Sequence, residues 1–137
     1  MITLEKKMLI LPQRLQIVKE LAFMSFNLVD VPKDMKITKI NMHIPLNNSN
    51  ISSKVHINEI ISTWSRDLVS KGKYPPSKTI SLHRIPHKSK ELIIDVSNFK
   101  SKWCRQSGLN HGIVIKFEKL NPAYLEMNPP FIIVDTI

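Results

Sequence analysis

The sequence predicts an all-β domain, a two-sheet jelly-roll-like antiparallel sandwich with one short helix near residues 97–107. Three observations lead there. Short runs rich in isoleucine, valine and threonine recur with a period of two, the spacing of strands buried on one face. No long heptad or 3.6-residue pattern competes with them. Residues 91–119, ELIIDVSNFKSKWCRQSGLNHGIVIKFEK, change period twice, from strand to helix and back.

That last stretch organises the rest. Leu92, Ile94 and Val96 alternate with Ile93 and Asp95. From Ser97 the apolar spacing becomes i, i+3, i+7, which puts Val96, Phe99 and Trp103 on one side of about two helical turns. Asp95 or Ser97 supplies a short side-chain oxygen to cap an unpaired N–H of the first turn. Gly108 and Asn110 stop the helix. Ile113, Ile115 and Phe117 then share one face of a second strand. A helix this short is not stable alone in water, so it is expected to lie across a sheet and plug one end of it.

The other elements follow in order. Residues 1–12 form a first strand or an arm, with residues 13–137 as the single sandwich domain; Met1–Leu11 is apolar with two lysines and ends at Pro12. Leu15, Ile17 and Val18 begin an extended piece. Residues 21–28 place Phe23 on one face and Ala22, Met24, Phe26 and Leu28 on the other. Pro32 holds Val31 extended ahead of a turn. Residues 36–46 are the clearest strand, with Ile40, Met42, Ile44 and Leu46 on one side and Lys39, Asn41 and His43 on the other. Pro45 marks an edge or a strand end. A polar loop, residues 47–53, precedes a strand over 54–61 that turns Val55 and Ile57 inward. Residues 66–78 read as the longest irregular segment, closed by Pro75-Pro76. A strand over 79–85 alternates Ile80 and Leu82 with Ser81 and His83. After the central stretch come a short piece around Tyr124–Met127, a turn at Asn128-Pro129-Pro130, and a last strand from Phe131.

Composition limits the function classes. The 137 residues suffice for one hydrophobic core, and 42% hydrophobic residues argue against disorder. A single cysteine, Cys104, excludes an intrachain disulfide. No segment has the apolar run of a signal peptide or a membrane span. The chain is therefore expected to be made in the cytoplasm and deployed, if outside, on a cell or spore surface. The formal charge of +9 is spread along the chain without an arginine-rich arm or an RNA-binding aromatic signature, so a specific nucleic-acid function is not expected. An acidic glycan or other polyanion is compatible with it.

The order of these pieces resembles the DNRLRE-type domain, a bacterial and archaeal β-sandwich module described as carbohydrate-binding-like and distantly similar to transforming-growth-factor-β propeptides. The pieces are LAFMSFNLVDVPKDMKITKINMHIPL, KVHINEIISTWS with Trp64, LIIDVSNFKSKW with Asp95, Val96 and Trp103, GLNHGIVIKF, and PPFIIV. The family's N-terminal arginine motif has Arg14 as its nearest counterpart, and only Pro75-Pro76 remains of its second tryptophan piece. The resemblance implies a sandwich fold and a glycan ligand.

Candidate sites are few. Tyr74, beside Pro75, and Trp64 could offer ring faces to a sugar, although the strand-end position of Trp64 and the helix position of Trp103 both suit core packing. His83 and His87 flank Pro86 in an extended context and lack further ligands, so no metal is expected. Cys104 and His111 lack a group to orient them as nucleophile and base. No paired carboxylates or glycine-rich phosphate loop is present. The sequence thus points away from an enzyme or a cofactor. It points toward a non-catalytic structural subunit of a coat, surface layer or filament that self-associates through sheet edges, with Met8, Leu9, Ile10 and Leu11 as the assembly segment. A carbohydrate-binding module is the alternative.

Overall fold

The computed structural model describes residues 5–46, 53–86, 88–104 and 110–137. Among the described residues nine strands form two antiparallel sheets: β1 (Lys6–Ile10), β2 (Arg14–Val18), β3 (Leu21–Ser25), β4 (Ile37–Pro45), β5 (Ser53–Ile60), β6 (Ser77–Ile85), β7 (Glu91–Asp95), β8 (Ile113–Phe117) and β9 (Phe131–Thr136). The four-stranded sheet has the order β1-β9-β4-β7, and the five-stranded sheet has the order β2-β3-β8-β5-β6. The pairs β1–β9, β3–β8, β4–β7 and β5–β6 are each antiparallel, the nested pairing of a long hairpin rolled into a jelly roll. Strand β2 adds to this frame as the outer arm of a tight hairpin with β3.

The core lies between the sheets and is built by the expected alternation. Ala22, Met24, Phe26, Leu28, Ile40, Met42, Ile44, Val55, Ile57, Ile113, Ile115, Phe117, Ile132 and Val134 all belong to it. Each fully buried aliphatic or phenyl side chain contributes about 1.5–3 kcal/mol relative to exposure. Pro45 ends β4 opposite Glu91, and β4 itself lies inside its sheet, so the proline marks the strand end and not an edge.

The central stretch does more than plug one sheet. β7 is an edge of the four-stranded sheet and β8 is inside the five-stranded one, and residues 96–104 after β7 begin the passage from one sheet to the other. A 3-10 turn (Ser97–Phe99) runs into helix α2 (Lys100–Cys104); the rest of the expected helix, residues 105–107, lies outside the described residues. Val96, Phe99 and Trp103 are all buried, with the Phe99 and Trp103 rings stacked 4.9 Å apart. The N-cap position falls on Val96, which has no capping side chain; Asp95, one residue ahead of it, accepts the Ser97 N–H at 2.9 Å, while the Ser97 hydroxyl accepts the Ile40 N–H of β4. Lys102 of α2 reaches Glu59 on β5, tying the plug to the opposite sheet.

One reading needs correction, and one gains its orientation. The segment 66–78 is not wholly irregular: Ser65 caps helix α1 (Arg66–Ser70) by accepting the Leu68 N–H at 3.1 Å. One turn is too short to show a period in sequence, yet it buries Val69 completely. In β6, Ile80 and Leu82 are exposed, at 42% and 53%, while Ser81 and His83 pair with the inward-facing Ile57 and Val55. β6 is an edge strand with a register shift opposite Ile57 and Asn58, and the sandwich core does not reach its outer side chains.

Candidate functional site

Of the two aromatic candidates, Trp64 belongs to a second, smaller core on the outer face of the five-stranded sheet, and Tyr74 lies at its margin. Phe23, Ile60, Trp64, Val69 and Val114 form it, beneath α1 and the loop that follows. Phe23 faces here, with Leu21 beside it, because Ala22 and Met24 of the same strand face the main core and side chains alternate. Trp64 is only 8% exposed, and its indole N–H donates to the His111 carbonyl at 2.6 Å. The Arg14 guanidinium covers the ring at 4.3 Å from its centroid. Trp64 is therefore mostly core, and it reaches the surface only where, with Leu68, Tyr74 and Pro75, it lines a small cavity of about 210 Å³. Tyr74 is 42% exposed, with its ring against Phe23 at 5.3 Å between centroids. Arg14, the counterpart of an N-terminal arginine motif, acts as the roof over this cluster.

Met8, Leu9, Ile10 and Leu11 divide between two environments. β1 pairs with β9 of its own chain, so the segment completes its own sheet. Met8 and Ile10 pack against the main core, whereas Leu9 and Leu11 are 58% and 59% exposed. Leu9 lies in register with Ile133, which lies in register with Asn41, which lies in register with Asp95. The neighbouring row runs from Phe131 through His43 to Ile93. The outer face of the four-stranded sheet therefore gathers Leu9, Ile133, Phe131 and Ile93, with Leu11 following β1 at one margin.

His43 sits in this face with its ring stacked on Phe131, 4.9 Å between centroids and 7° between planes. Its Nδ1 is 2.8 Å from the Glu91 carboxylate. Lys7 pairs with Asp135 at 3.7 Å, and Lys39 lies opposite Asp135 in the ladder. The charges on this face are two lysines, Lys7 and Lys39, against three carboxylates, Glu91, Asp95 and Asp135, on a chain whose formal charge is +9. It is the apolar, charge-balanced side of a basic molecule.

Sequence reading found Leu9 and Leu11 but not their neighbours. Ile93, Phe131 and Ile133 each sit beside a core residue in an apolar run, and only the register of three strand pairs shows that they share a surface. The sign in the sequence was an apolar residue at the outward position of an alternating strand, as at Ile93 between Leu92 and Ile94.

Among the described residues, no three His, Cys, Asp or Glu side chains come together as a metal site. His83 makes a 2.8 Å hydrogen bond with Ser81; its supposed partner His87 and the Cys104 side chain lie outside the described residues. No described helix is long and apolar enough to cross a membrane. No protein-family model matches the chain, and no curated protein is similar to it.

Proposed function

We propose that this protein is a non-catalytic structural subunit that associates with copies of itself through the outer face of the four-stranded sheet. The observation that carries this reading is the band formed by Leu9, Ile133, Phe131 and Ile93, in which Leu9 and Ile93 are both more than half exposed. Exposed apolar groups gathered on one sheet face favour burial against a partner. Charge selects a second copy as that partner. A molecule at +9 repels its copies over most of its surface, and this face has acids and bases in near balance that can pair across a two-fold axis.

Two of the four sheet edges are blunted against strand addition. β1 begins with Lys6-Lys7, and β6 is irregular and bounded by Pro76 and Pro86, features that discourage strand addition. The N-terminal strand contributes through Leu9 and Leu11 while it stays in its own sheet.

Light scattering across a concentration series tests the reading. The wild type should form a defined dimer or larger species, and Leu9→Lys with Ile93→Lys should return it to monomer with the thermal midpoint retained. A wild type that stays monomeric at high concentration, or an oligomer untouched by the double substitution, would sink it. The glycan alternative loses Trp64 as a platform and retains Tyr74; a different surface favours it more strongly.

A further inference from the structure

The far end of the five-stranded sheet carries a second surface. The β2–β3 turn, the end of β8, the start of β5 and the end of β6 meet there. They line an open groove of about 750 Å³ beside Lys19, Glu20, Lys116, Glu118 and Lys119, and an adjoining one of about 280 Å³ that adds Lys54 and Arg84. Glu118 and Lys119 belong to both, so the two are continuous. Lys19, Lys54, Arg84, Lys116 and Lys119 are all exposed. Among the described residues none of these five has an ion-pair partner, whereas Lys7, Lys71, Lys78 and Lys102 do.

The backbone beneath these cations is fixed. Lys19 and Lys119 adopt left-handed conformations, with φ of 53° and 61°, a conformation that is uncommon for a residue with a Cβ. Phe117 N–H donates to the Glu20 carbonyl at 2.9 Å, and Glu118 N–H donates to the Lys54 carbonyl at 3.0 Å, which holds the turn, β8 and β5 together. Glu118 also faces His56 at 3.2 Å. Lysines on a rigid frame lose less freedom on binding than lysines on a loose loop.

We propose that this groove binds an acidic polysaccharide. Five unpaired cations in one groove call for a ligand with several anionic groups. Two carboxylates among them, Glu20 and Glu118, would oppose a chain with charge at every phosphate, but they accept hydrogen bonds from sugar hydroxyls. The groove also lacks an exposed ring on which bases could stack, since its one aromatic, Phe117, is 1% exposed. Alternating hydroxyls and carboxylate or sulfate groups match this lining; a nucleic acid does not.

Fluorescence anisotropy on the full chain decides it, with labelled oligogalacturonate, a heparin-derived oligosaccharide, a neutral maltooligosaccharide and DNA of matched charge. The acidic oligosaccharides should bind, the neutral one should not, and DNA should bind more weakly. Lys116→Gln with Lys119→Gln should reduce the affinity at least about tenfold. Lys33→Gln with Lys73→Gln removes the same charge elsewhere and should change it less than about threefold. Glu118→Leu should lower the affinity for the acidic oligosaccharides relative to that for DNA, because it relieves the same repulsion for both and removes hydroxyl acceptors that only the sugars use. The proposal is overturned by no binding of either acidic oligosaccharide, by DNA binding as tightly or more tightly, or by equal losses in the two lysine pairs. A Glu118→Leu variant that leaves the ratio of oligosaccharide to DNA affinity unchanged or raised also overturns it. Assembly through the opposite sheet is read by mass, so either proposal can fail while the other stands.

Discussion

Arg14 on β2 lies over the indole of Trp64, 4.3 Å from the ring centroid, and donates from its guanidinium to the Trp64 carbonyl at 2.9 Å. One side chain thus caps the ring and fixes the backbone that carries it. Burial lowers the Arg14 pKa, and the ring face and the carbonyl offset the lost water. Arg14→Ala should cost about 1–2 kcal/mol in urea unfolding, and Trp64→Ala about 3–5 kcal/mol. The double variant should cost less than the sum by more than about 0.5 kcal/mol, since the two side chains share one contact. Strict additivity would show that the contact contributes nothing. Arg14→Lys should rescue only part, because an ammonium lacks the flat guanidinium that covers the ring.

Gly112 leads into β8 in a conformation that favours glycine. Its φ is +89°, and a Cβ there would clash with the Met24 carbonyl oxygen. Its own carbonyl accepts the Ile60 N–H at 3.0 Å. Gly112→Ala should destabilise by more than about 2 kcal/mol, from strain at positive φ and displacement of β3 backbone. Gly72 has a similar φ of +86° with open space around it, so Gly72→Ala should cost only about 1 kcal/mol. Equal thermal midpoints for the two variants would contradict this account.

The carboxylate of Glu59 is 10% exposed and lies between Lys102 and Lys78. Lys102→Met removes its partner on the plug helix and should lower stability by about 1–3 kcal/mol, because a nearly buried charge loses its nearer counterion. Glu59→Gln in the same background should recover part of that loss. If Lys102→Met leaves the urea midpoint unchanged, the bridge does not hold the plug.

Acid should loosen the fold in two stages. Burial holds the His83 pKa below its ordinary value, and Ser97, through its hydroxyl and then its backbone N–H, holds Asp95 below the usual carboxylate value. In both cases the unfolded chain binds the proton more tightly than the folded one, so stability rises with pH across each window and falls on acidification. The His83 share should be lost as pH drops below about 6.5, and the Asp95 share as it drops below about 4. Urea midpoints for His83→Gln should fall less than those of wild type between pH 7.5 and 5.5. Parallel curves would remove His83 from the explanation.

The strands, their inward faces and the plug were legible because each rests on local periodicity. Ile40, Met42 and Ile44 could face only one way once the strand was recognised, and Val96, Phe99 and Trp103 announced a helix by spacing alone. Helix α1 was not legible: a single turn capped by Ser65 leaves no period to read. Nor was the exposure of Ile80 and Leu82, since an apolar alternation does not say which face meets a core.

By itself the sequence determined the sandwich class, the residues of its main core and the surplus of positive charge. These depend on contacts between near neighbours and on totals. Tertiary structure alone decided that Trp64 is covered by Arg14, that Leu9, Ile133, Phe131 and Ile93 share a face, and that five cations from four strands and turns meet around Glu118. Each of these groupings joins residues far apart in the chain through strand register and sheet order. Such placement is set by which strands pair, and no local pattern encodes it.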